Sequence, residues 1–184
     1  MENTHSIFND FKLKEKVSDL TIEKYTGKLP LEVIDIWKKY GFGSILQGYL
    51  KIINPDRLEE LLEEVYVRYQ EAIPLFVTSM GDIIVWEEER YLNLLNFRKN
   101  EVNVISAGFD FFLEDLSDEN FLVEELSWFP YPNAIEKYGK PHFNECFGYV
   151  PLLGLGGSEK VENLQQVKLI EHIYLITQFM GPIE

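Results

Sequence analysis

The chain has 184 residues, 46% of them hydrophobic and 14% aromatic, and 31 acidic against 17 basic side chains give a formal net charge of −14. That is enough chain to bury one sizeable core or two small subdomains sharing an interface, and a field of that sign repels phosphate backbones and anionic membranes while speeding association with basic partners. With one cysteine, no basic and apolar leader, and no apolar run near the ~18 residues of a membrane helix, we expect a cytoplasmic protein without disulfide, secretory signal or membrane span.

In chain order, residues 1–20 are mixed and charged and read as an arm or one short helix. Leu29-Pro30 opens a helix with proline at a tolerated early position, Leu31, Ile34 and Trp37 form one stripe at helical spacing, and Gly41 stops it. Small and apolar residues alternate from Phe42 to Ile53 around Gly43 and Gly48, which predicts a turn and a short strand. Asn54-Pro55 then signals a helix start. Leu58, Leu61, Leu62, Val65 and Tyr69 define its buried face, and Glu59, Glu60, Glu63 and Glu64 face water. From Ile73 the period shortens. Residues 73–78, 82–86, 91–96 and 102–106 read as short strands with brief polar connections, the spacing of an antiparallel meander.

Phe109 to Leu116 and Phe121 to Trp128 read as two helical segments. Phe129-Pro130-Tyr131-Pro132 breaks the chain, and divides it into expected domains of 1–130 and 131–184 that pack as one globular unit. Val161, Leu164, Val167, Ile170, Ile173 and Ile176 predict one long helix from Val161 to Met180. The fold class is α+β: an antiparallel sheet packed with helices, closed by a C-terminal helical segment.

The stretch Glu145-Cys-Phe-Gly-Tyr-Val-Pro-Leu-Leu-Gly-Leu-Gly-Gly157 holds four glycines, Gly148, Gly154, Gly156 and Gly157. Glycine adopts positive φ without steric cost, so we expect a tight bend that stays buried. With the later Glu171-His172-Ile173, this run resembles the C-terminal domain of immunity proteins that neutralise DNase toxins of the type VI secretion system. The first half, from Leu29-Pro30 through Trp37-Lys38-Lys39-Tyr40-Gly41-Phe42-Gly43 to Asn54-Pro55, is similar to the GAD-related domain found upstream of it. It also has a more distant likeness to the SUKH superfamily of immunity proteins. The resemblance spans roughly residues 20 to 180 and implies a non-enzymatic binding protein whose toxin is the product of the neighbouring gene. It also implies a structural role for Gly148, Pro151, Gly154, Gly156, Gly157 and His172.

The chemistry-bearing residues agree with that reading. Gly154-Leu155-Gly156-Gly157-Ser158-Glu159 lacks the sixth-position glycine of a dinucleotide fingerprint and the Gly-Lys-Ser/Thr of a P-loop. His142, Glu145 and Cys146 lie close in sequence, with His172 and His5 elsewhere, but follow no standard zinc spacing. Cys146 could pair with His142 or His172 as nucleophile and base, yet within an apolar run it reads as a small buried hydrophobe. His172 is expected to hydrogen-bond a carbonyl of the bend. Adjacent glutamates on a helix do not face each other, so Glu63-Glu64 and Glu124-Glu125 make poor acid–base dyads.

Charge then suggests where a partner would sit. Residues 101–136 contain nine carboxylates and no Lys or Arg. We expect Glu114, Asp115, Asp118, Glu119, Glu124 and Glu125 to meet a basic nuclease toxin, with no cofactor, metal, nucleic acid or membrane as partner. Two rivals stay open. One is a small-molecule-binding or enzymatic domain with the glycine-rich bend as a pocket wall. The other is an autoregulatory repressor, for which Lys12, Lys14 and Lys16, with Arg98 and Lys99, are the modest basic group available.

Overall fold

A seven-stranded antiparallel sheet with every strand beside its neighbour in sequence forms the centre of the molecule. The structure, a computed structural model, describes residues 6–184, so His5 lies outside the described residues. The strands are β1 (Lys12–Glu15), β2 (Phe42–Ile45), β3 (Leu50–Ile52), β4 (Ala72–Thr78), β5 (Ile83–Glu87), β6 (Tyr91–Asn96) and β7 (Glu101–Ala107). Helices α1 (Asp19–Tyr25), α2 (Leu31–Tyr40), α4 (Phe109–Asp115), α5 (Glu119–Glu124) and α6 (Tyr131–Tyr138) join the core on one face. On the other lie α3 (Glu59–Val65) and α7 (Leu169–Met180). A hairpin of β8 (Glu145–Tyr149) and β9 (Leu164–Lys168) completes the fold. The α+β class read from the sequence is the class observed.

Coverage on both faces explains the composition of the central strands. β5 is buried throughout, Ile84 and Trp86 facing the α2 side and Ile83 and Val85 the α3 side. A sheet with one wet face would need polar residues at alternate positions, and β5 has none before Glu87. On the α2 side, Trp37 meets Tyr25 and Phe42 edge-on, and Phe76 packs with Phe109 and Phe112. Tyr49, Trp128 and Tyr131 form a further aromatic cluster, with ring centroids 4.8–5.6 Å apart.

Several local expectations are corrected. The first twenty residues contain strand β1, whose single apolar residue, Leu13, gave little periodicity to read. Phe42 to Ile53 holds two strands, because Leu46, Gln47 and Gly48 all take positive φ and reverse the chain between them. Leu31 is exposed, and the inward stripe of α2 is Val33, Ile34 and Trp37. Asn54 does cap a turn, accepting from Asp56 N–H at 3.1 Å, but residues 55–57 wind as a 3-10 turn before α3 begins. Asp118 caps α5, accepting from Asn120 N–H, so that helix starts before Phe121. The long closing helix is shorter than expected. Residues 161–168 of it are a 3-10 turn followed by β9, whose backbone satisfies the hydrogen bonds of β8.

Candidate functional site

The acidic segment occupies α4, α5 and the turn between them. Glu114, Asp115, Asp118, Glu119, Glu124 and Glu125 are all exposed, and among the described residues no Lys or Arg forms an ion pair with any of them. Glu114 and Asp115 end α4, and Glu124 and Glu125 end α5, with no basic residue in either last turn. The carbonyl end of a helix carries partial negative charge, so each carboxylate there costs roughly 0.3–1 kcal/mol at low ionic strength. Folding stability therefore does not account for this placement. Phe111 is 58% exposed, and helical spacing puts it on the same face as Glu114 and Asp115. Phe129, also exposed, follows the end of α5.

The glycine-rich segment follows α6 in the chain. Residues 145–149 are the strand β8, and the bend proper is a surface feature: Gly154, Leu155 and Gly156 are exposed, and Leu152 alone between residues 151 and 157 is buried. The expectation of a buried bend is thus corrected, because the backbone folds onto itself rather than into the core. Leu155, Gly156 and Gly157 N–H groups donate to Leu152, Leu153 and Leu152 carbonyls, each at 3.0 Å. Pro151 follows a cis peptide bond. A Cβ at Gly157 would collide with the Pro151 carbonyl, and one at Gly154 with the Met180 side chain.

Gly156 stands at φ +87° in the left-handed region with open space around it. Gly156→Val is expected to cost about 1–3 kcal/mol through backbone strain alone, and Gly156→Asn to regain most of that, since asparagine tolerates the left-handed region. Thermal melting of the two variants checks this; equal melting of Gly156→Val and the parent would contradict it.

His172, on α7, is 6% exposed, and its ring lies where a Cβ of residue 148 would be, so Gly148 gives it room. The expected hydrogen bond from His172 to the bend is not formed. Burial lowers the imidazole pKa below 6.5. In the folded state it therefore binds a proton later than in the unfolded chain, so stability falls as pH drops below 6.5. His172→Gln is expected to reduce the difference in urea midpoint between pH 7.5 and 5.5. An unchanged difference would mean that other groups carry it.

Cys146 packs in the core cluster on the α3 and α7 face of the sheet. Cys146 is fully buried and its thiol is pushed up to about 12 by desolvation, whereas a reactive cysteine needs a depressed value. Among the described residues no three of His, Cys, Asp and Glu are placed to hold a metal ion. Beside the bend, Arg98, Tyr149 and His172 help line a cavity of about 10 Å³, the space of roughly one water molecule.

Two sites of buried charge were not legible from sequence. Asp82, entirely buried, holds Arg98 through Nη2 at 2.5 Å and Nε at 3.3 Å. Burial raises the Asp82 carboxyl, while Arg98 and the Thr78 hydroxyl work against that rise. Lys51, 2% exposed on β3, donates to the His142 carbonyl at 3.0 Å and to the Glu145 carbonyl. Neither had a local sequence signal, since each partner lies at least sixteen positions away.

Two families of known proteins match separate stretches of the chain. The family described as GAD-like domain matches residues 2–96, and the family described as T6SS immunity protein Tdi1, C-terminal, matches residues 106–180. No curated protein matches the chain. The crystal structure of Atu4351 from Agrobacterium tumefaciens is similar, with a TM-score of 0.77, over 97% of this chain and 89% of that one. Identity is 17%, so the likeness is one of fold.

Proposed function

The chain belongs to the GAD-like domain family and carries a C-terminal half matching that of a T6SS immunity protein, and from this premise we propose that it is a cytoplasmic immunity protein that occludes a basic nuclease toxin through α4 and α5. The observation that carries the finer part is the placement of four carboxylates at the carbonyl ends of two helices, without a cation. A nuclease site must attract phosphates, so it presents positive charge or metal. An acidic surface is steered to such a site and competes there with DNA.

Exposed Phe111 and Phe129 fit the anchors of such an interface, since aromatic side chains supply large contact area at low entropic cost. A binding role rather than an enzymatic one is supported by the burial of Cys146 away from solvent and by the small size of the cavity at the bend. The test is co-expression with the product of the adjacent gene, followed by affinity capture and a DNA-degradation assay. The proposal expects a stable complex in which degradation is suppressed. Absence of a complex would overturn the immunity reading, and a captured toxin without nuclease activity would overturn its nuclease part.

A further inference from the structure

We propose that the cleft between β1 and the segment Lys140–Phe143 binds a small phosphorylated molecule, one with at least two negative charges and a flat or apolar body. This goes beyond the toxin reading and does not rest on it. The cleft has a volume of about 370 Å³, within the range of roughly 300–1,000 Å³ typical of small-ligand sites. Lys12, Lys14, Lys51 and Lys140 line it, and Asp10 is its only carboxylate. A protein with a net charge of −14 thus gathers four of its few cations in one concavity.

The cleft carries a net positive charge. Asp10 is engaged by backbone amides, accepting from Leu46 N–H at 3.2 Å and Gln47 N–H at 2.5 Å. Among the described residues none of the four lysines has a carboxylate within ion-pair distance. Lys51 is the telling member, because long cationic side chains are almost never fully buried unless paired. It is 2% exposed, and its two hydrogen bonds go to main-chain carbonyls. An ammonium has three donors, and main-chain carbonyls take two of those of Lys51, which leaves its positive charge without a counter-charge. Burial pulls the Lys51 pKa down to about 8, and an anion in the cleft would offset the desolvation responsible.

The remaining walls are mixed: Phe143, Leu13 and Pro141 supply apolar surface and Ser44, Gln47 and Gly48 the rest, with Lys14 Nζ 6.0 Å from the Phe143 ring centroid. Lysines act on phosphate as point charges and impose little geometry, so the flat wall rather than the charges would select the organic part of the ligand.

Calorimetric titration of the whole protein at low salt, with inorganic pyrophosphate and with ADP, tests the proposal. Saturable binding of both at one site per chain is expected, ADP more tightly because its base can rest on Phe143. The combined variant Lys12→Gln, Lys14→Gln and Lys140→Gln removes exposed charges without touching the core. It should weaken both ligands at least about tenfold. Phe143→Ala should narrow the advantage of ADP and leave pyrophosphate unchanged. No saturable binding at millimolar ligand, or equal binding by the lysine variant, would overturn the site. A single-stranded oligonucleotide binding more tightly than ADP would overturn its small-molecule character. No toxin is present in this assay, so its outcome is independent of the immunity reading.

Discussion

Replacing Arg98 with methionine is expected to remove about 3–5 kcal/mol of folding stability, the cost of stranding a buried charge. Arg98 lies in the turn that follows β6 and Asp82 immediately before β5, both closed off from solvent. The guanidinium satisfies Asp82 through two nitrogens and also reaches the Ser127 carbonyl at 3.4 Å, tying the sheet to the chain after α5. Methionine fills much of the same volume but leaves the Asp82 carboxylate with little more than the Thr78 hydroxyl, at 3.3 Å. In that variant the carboxyl would bind a proton in the folded state far more readily than in the unfolded one. Its stability should therefore be best at low pH and fall as pH rises through the raised folded-state pKa. The double variant Asp82→Leu with Arg98→Met should recover part of the loss, because a missing pair costs less than half of one. Urea unfolding of the three proteins measures all of this. A single-variant loss below about 1 kcal/mol would show that water reaches the pair.

Large parts of the fold were legible because they are encoded locally. The shift from helical to alternating apolar spacing at Ile73 marked the meander, and Gly41, at φ +84°, marked the end of α2. What could not be read depends on distant partners. Leu164 and Val167 are three apart, a spacing that fits a helix stripe as well as the frayed alternation of an edge strand, and only pairing with β8 decides for β9. β1 has one apolar residue in four and is a strand because β2 offers it hydrogen bonds. The acidic segment was visible as a charge run, but its position at helix ends required the helix boundaries. Lys12 and Lys14 could be seen as a small basic group, whereas Lys51 and Lys140 join them only through the sheet and the chain reversal before β8. A charge cluster assembled from three separated segments has no sequence signature.

Neutralising Glu114, Asp115, Asp118, Glu119, Glu124 and Glu125 to their amides is expected to slow association with the cognate toxin about tenfold or more at low salt. Charges at the rim of an interface act chiefly on the encounter, and six of them in one acidic segment supply a long-range field. The effect should shrink toward zero as the Debye length falls from ~10 Å at 0.1 M salt to ~3 Å at 1 M. Dissociation should change little, because residence time rests on buried contacts such as those Phe111 could make. Phe111→Ala should do the reverse, speeding dissociation while leaving the salt dependence of association intact.

Stability provides the internal control. Carboxylates at the C-terminal ends of α4 and α5 oppose the helix dipole, so removing Glu114, Asp115, Glu124 and Glu125 should leave the melting temperature unchanged or raise it. Asp118 is the exception: it caps α5, and asparagine retains the accepting oxygen. A slower on-rate in a protein at least as stable as its parent cannot be ascribed to misfolding. Stopped-flow association at several salt concentrations makes the measurement. Equal on-rates for the parent and the neutralised protein across that range would reduce the acidic face to ordinary solvation and move the toxin interface to another surface.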